Sequence, residues 1–96
     1  MKMVMIAYNE AVDAEVMEML ALCRVENYTK TTGVFGKGST SGTHLGTDVW
    51  PGRNNVVHVA VADEQAAVIL AQVKELRKNL GGEGIKAFSW NLDGLT

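Results

Sequence analysis

"NVVHVAVA", residues 55 to 62, decides the fold. Side chains alternate along an extended chain, so Val57, Val59 and Val61 share one face while Val56, His58 and Ala60 share the other. Asp63 then stands where a helix cap is expected. Ala66, Ile69, Val73, Leu76 and Leu80 follow at helical spacing and form one apolar stripe. Lys74, Arg77 and Lys78 sit near the negative end of that helix, and Gly81-Gly82 stop it. A strand feeds an amphipathic helix.

The same pairing recurs upstream. Residues 3 to 8, "MVMIAY", are apolar throughout, which suits a strand buried on both faces. Asn9 is placed to cap a helix over residues 10 to 24, with Glu10, Asp13 and Glu15 near its positive end. Val12, Val16, Met19, Leu20 and Cys23 form its stripe. "NYTKTTGVF", residues 27 to 35, is rich in aromatic and β-branched residues and reads as a second strand. In "IKAFSWNL", residues 85 to 92, Lys86, Phe88, Trp90 and Leu92 alternate with Ile85, Ala87, Ser89 and Asn91 to make the last strand. The order is β-α-β-β-α-β, an α+β, ferredoxin-like arrangement in one domain spanning residues 1–96. Both helices then cover one face of a four-stranded antiparallel sheet. The other face carries enough apolar residues to be an association patch, and a closed symmetric oligomer packed sheet to sheet is expected.

Composition narrows the function. Apolar residues are 47% of 96, so the chain has a core to bury. The formal net charge is -2 with no basic block, which argues against nucleic acid as the main partner. No stretch approaches the roughly 18 to 20 apolar residues of a membrane span, and "MKMVMIAYNE" reads as a first strand and not as a signal peptide. Cys23 is alone, so no intrachain disulfide forms, and a reducing, cytoplasmic address fits. "NYT", residues 27 to 29, matches a glycosylation acceptor that an intracellular chain leaves unmodified.

One connection is out of proportion. About 19 residues, Gly36 to Asn54, join two antiparallel neighbours that a few residues could join. It contains most of "GVFGKGSTSGTHLG", residues 33 to 46. A Walker A loop around Lys37 would need glycine at residue 31 and a hydroxyl at residue 38, where the chain has Thr31 and Gly38, and no helix pattern follows. Either the glycine-rich backbone offers N–H groups to an anion beside Lys37, or the stretch is a mobile linker. "GGEGIK", residues 81 to 86, is a helix stop and tight turn that can also form a phosphate nest near Lys86. His44, Asp48, His58 and Cys23 lack the spacing of a compact metal site, and His44 is the best single candidate ligand. No nucleophile, base and orienting group converge, so an enzyme is not expected. Trp50 either anchors a partner or tucks the loop base against the sheet, and the methionines read as core filling.

Over nearly its full length the chain resembles the PII signal-protein superfamily. The likeness rests on the element order, the long loop, "GVFGKG", Pro51 before the third strand and the glycine cluster after the second helix. The resemblance implies a homotrimer with ligand clefts between subunits, ATP or ADP as the candidate nucleotide, and a T-loop that grips a membrane transporter or an enzyme. Phe35-Gly36-Lys37 resembles the family's Phe-Gly-Arg at the loop base, with Gly38 following. Gly82-Glu83-Gly84 resembles its phosphate-binding Gly-Asp-Gly. The family's next lysine falls on Ile85, with Lys86 one place later, and its C-terminal arginines and loop tyrosine have no counterpart.

The resulting expectation is a non-catalytic sensor. A small ligand would contact Phe35, Gly36, Lys37, Gly38, Gly82, Glu83, Gly84 and Lys86, and the 36–54 loop would present Thr40, His44 and Trp50 to a partner. The alternative is a divalent-metal-responsive trimer like the CutA relatives, using His44 and Asp48.

Overall fold

Strand β1, Lys2–Asn9, runs through the middle of the sheet because it can be buried on both sides. The computed structural model describes residues 1–36, 53–80 and 84–96. After β1 come a 3-10 turn at Glu10–Val12 and α1 at Asp13–Leu22. Strands β2 (Thr29–Phe35) and β3 (Arg53–Val61), helix α2 (Asp63–Asn79) and strand β4 (Ile85–Asn91) complete the expected order. The sheet order is β2-β3-β1-β4, and every neighbouring pair is antiparallel. The ferredoxin-like expectation is met.

The core lies between the sheet and the two helices. Val4, Ile6 and Tyr8 of β1 meet Val57, Val59 and Val61 of β3 on this side. Val16, Met19 and Leu20 of α1 cover them, as do Ala66, Ile69 and Val73 of α2, while Leu76 and Leu80 pack at the margin. Each large aliphatic side chain buried there contributes on the order of 1.5–3 kcal/mol.

Three local details differ from expectation. The first helix does not run unbroken from residue 10: Asn9 accepts from the Ala11 N–H at 2.9 Å and caps a 3-10 turn, and α-helical geometry starts at Asp13. Asp63 is the first helical residue of α2, because extended Ala62 occupies the cap position. The Asp63 carboxylate instead meets the amino group of Met1 at 3.1 Å. Helix α1 ends in a Schellman motif, with Val25 donating to the Leu20 carbonyl at 2.9 Å and Arg24 to that of Ala21 at 3.0 Å.

The second face of the sheet is open in the single chain. Across it run Ala60, Met3 and Trp90, then His58, Met5 and Phe88, then Val56, Ala7 and Lys86. Phe88 and Trp90 are 42% and 44% exposed.

Candidate ligand site at the loop end of the sheet

Strand register brings the ends of all four strands into one line. Val34 of β2 pairs with Asn54 of β3, Asn54 pairs with Asn9 of β1, and the Asn9 N–H donates to the Gly84 carbonyl at 2.8 Å. Gly84 directly precedes β4. The long connection therefore departs from Gly36 and returns at Arg53 on the same line where the short glycine-rich connection ends.

Two glycines on this line have physical reasons to be there. A side chain at Gly36 would put its Cβ 3.1 Å from Asn54 Nδ2, so the amide would have to move. Gly84 has φ +84°, a backbone shape that other residues adopt at a cost. Such backbone can turn N–H groups toward an anion. Phe35, the last residue of β2, pairs with Arg53 and is 77% exposed.

The pleat decides where Lys86 goes. Ile85 is buried on the helix side, and Lys86 falls on the open side beside Ala7. Its ammonium lies 5.8 Å from the centre of the Phe88 ring, within cation–π range. Lys37, Gly38, Thr40, His44, Asp48, Trp50, Gly82 and Glu83 lie outside the described residues.

Under this line is a polar cluster on the helix side of the sheet. Asp13, at the start of α1, accepts at Oδ1 from the Tyr8 hydroxyl at 2.5 Å and from Asn55 Nδ2 at 3.1 Å. Lys30 of β2 donates to both of its carboxylate oxygens at 2.9 Å. The hydrogen bond from Tyr8, joined by those from Lys30 and Asn55, holds the Asp13 carboxyl below its usual range. Burial, with the Asp13 carboxylate beside it, pushes the Tyr8 hydroxyl up, so it remains a donor. One carboxylate thus ties α1 to β1, β2 and β3 within two residues of the loop's return at Arg53.

From the sequence, Asp13 is only a favourable charge at a helix start. The available signal was Tyr8 at the end of an otherwise aliphatic run, since a buried tyrosine hydroxyl requires a partner. Among the remaining candidates, His58 is half-buried on the open face and Cys23 is half-buried at the end of α1. Among the described residues no group of three or more His, Cys, Asp or Glu is placed to hold a metal ion. No helix among them is long and apolar enough to cross a membrane.

A family model described as nitrogen regulatory protein P-II matches residues 1–93. No curated protein sequence matches the chain. Among solved structures, the chain is similar to a PII-like signalling protein of Thermus thermophilus, with 23% identity and a TM-score of 0.69, covering 95% of this chain and 85% of that one. It is also similar to CPII of Thiomonas intermedia, a nitrogen regulatory PII-like protein bound to ADP, AMP and bicarbonate. There the identity is 18% and the TM-score 0.71, over 95% of this chain and 88% of CPII. A further CPII structure, bound to ADP and bicarbonate, gives 21% identity and a TM-score of 0.70 over 93% and 82%.

Proposed function

The chain belongs to the nitrogen regulatory protein P-II family, and on that premise we propose that it is a non-catalytic, cytoplasmic trimer that senses a small ligand and signals through residues 36–54. The ligand sits in a cleft between subunits, at the line formed by Gly36, Arg53, Asn9 and Gly84. An adenine nucleotide is the ligand class, and CPII, whose structures carry ADP, AMP and bicarbonate, supports that choice.

The observation that carries this reading is the convergence of the two glycine-rich connections. Val34, two residues before Gly36, pairs with Asn54, Asn54 pairs with Asn9, and the Asn9 N–H donates to the Gly84 carbonyl at 2.8 Å. A ligand held there by Phe35, Gly36, Lys37 and Gly38 from one side and Gly82, Glu83 and Gly84 from the other would bias the long loop at its root. Lys86 adds a cation from the open side of β4, where a neighbouring subunit would close the cleft. The loop, with Thr40, His44 and Trp50, then engages a transporter or an enzyme.

Calorimetry against ATP, ADP and AMP, each with and without magnesium and bicarbonate, tests this reading. The expected result is saturable heat with at least one adenine nucleotide, reduced at least tenfold in affinity by Lys37→Ala. No heat and no thermal shift across the panel would remove the nucleotide from the proposal.

A further inference from the structure

Strand β2 changes register against β3 partway along. Thr31 stands opposite Val56 and Val34 opposite Asn54, so Thr32 and Gly33 together face the single residue Asn55. That is a β-bulge, with one residue more on β2 than on its partner. Gly33 carries it at φ +69°. A Cβ at this position would meet nothing within 4 Å, so the backbone shape and not the space calls for glycine.

The extra residue reverses the pleat. Side chains alternate along a strand, so Lys30 and Phe35, an odd number of positions apart, would ordinarily lie on opposite faces. Here Lys30 pairs with Val57 and Phe35 with Arg53, which are an even number of positions apart on β3. Both therefore belong to the helix side, where Val57 is buried. Val34 goes to the open side with Asn54 and Val56. In an unbulged strand Val34 would meet Arg53, and Phe35 would emerge on the open side. The strands around the bulge are fastened. Lys30, ahead of it, donates to both carboxylate oxygens of Asp13, and Asn55, facing it, donates to Asp13 Oδ1 at 3.1 Å. Asp13 thus grips β2 and β3 together, which confines any change of register to the residues after Thr31.

We infer that Gly33 is a positioning residue: the bulge it permits decides from which face of the sheet Phe35 and the root of the long connection emerge. The register follows from strand pairing, while its consequence for ligand binding rests on the reading proposed above, in which Phe35 touches the ligand. Valine at position 33 disfavours the positive φ and favours a regular strand, which drives Phe35 to the open side. Asparagine tolerates that backbone and keeps the bulge. Deleting Gly33 removes the extra residue and leaves Phe35 opposite Arg53.

Cross-strand nuclear Overhauser effects in the isotope-labelled full chain test the inference. Backbone contacts should link Phe35 to Arg53 in the unaltered protein, in Gly33→Asn and in the chain lacking Gly33. In Gly33→Val they should be replaced by contacts from Val34 to Arg53. A Gly33→Val chain that keeps Phe35 opposite Arg53 overturns the inference. So does one that loses all contacts between β2 and β3, since the strand would then fail instead of shifting. Calorimetry with ADP measures the consequence. Affinity should be at least tenfold weaker in Gly33→Val and within about threefold of the unaltered protein in the other two variants. Equal affinity in all four chains would remove the face of Phe35 from ligand binding. No ADP binding by any of them would overturn the nucleotide reading, while the register result stands.

Discussion

Lys30 holds both carboxylate oxygens of Asp13 at 2.9 Å, which fastens edge strand β2 to the start of α1. Beyond its backbone pairing with β3, β2 buries few side chains, because most of its residues are exposed. Asp13 also accepts from Tyr8 and Asn55, whose residues are only 1% and 5% exposed. The two ends of the ion pair are therefore unequal. Asp13→Ala strands two buried donors and should destabilise the fold by about 2–3 kcal/mol, since each unmet buried group costs about 1–3 kcal/mol. Lys30→Ala removes one partner from a half-exposed pair and should cost about 1 kcal/mol or less. Urea midpoints for the two variants check the order, and equal losses would contradict it.

The same carboxylate sets a pH dependence. Its folded-state pKa is depressed, chiefly by the Tyr8 hydrogen bond, so Asp13 contributes stability above the unfolded carboxyl value of about 3.9. That contribution is lost as pH falls from there through the folded value. Stability of the unaltered protein should therefore decline more steeply between pH 5 and about 2 than that of Asp13→Asn, which has no such proton to take up. Denaturant midpoints measured at several pH values across this window compare the slopes, and parallel curves would show that Asp13 is not the group responsible.

Arg24 closes helix α1 with φ 62°, in the position after the helix that usually belongs to glycine. A non-glycine residue in this left-handed region costs roughly 1 kcal/mol. The side chain is exposed at this site. Arg24→Gly should raise stability by about 0.5–1 kcal/mol, the relief of strain being partly offset by greater freedom in the unfolded chain. A thermal unfolding midpoint that falls in this variant would mean that the arginine holds the turn in some other way.

How much of this was legible in the sequence depends on how local each feature is. The alternation of Val57, Val59 and Val61 and the stripe of Ala66, Ile69 and Val73 are short-range patterns, and both appear in the core as read. Pleat parity likewise told Ile85 from Lys86, which now stand on opposite faces of β4. Capping was harder, because Asp63 and Ala62 compete for one position and the choice follows from where β3 ends. The Asp13 cluster was not legible, since it needs the register of β1 against β3 and of β3 against β2 before Tyr8, Asn55 and Lys30 can converge. The line from Gly36 to Gly84 arises in the same way, from strand ends distant in sequence. Nothing in Arg24 itself marks a left-handed residue.

Phe88 and Trp90 lie two residues apart on the open side of β4, each nearly half exposed in the single chain. Neither belongs to the buried core, so a charge at either position should leave the single chain folded, with a stability change of about 0.5 kcal/mol or less. In an assembly packed through this face, the same charge would be buried without a partner, which costs several kcal/mol per ion. Phe88→Glu should therefore reduce the sedimenting mass to that of one chain while far-UV circular dichroism and the urea midpoint at low protein concentration stay near their original values. Trp90→Glu should do the same. An unchanged mass in both variants would move the contact between copies away from the open face, whereas unfolding of the variants would show that Phe88 and Trp90 support the single chain itself.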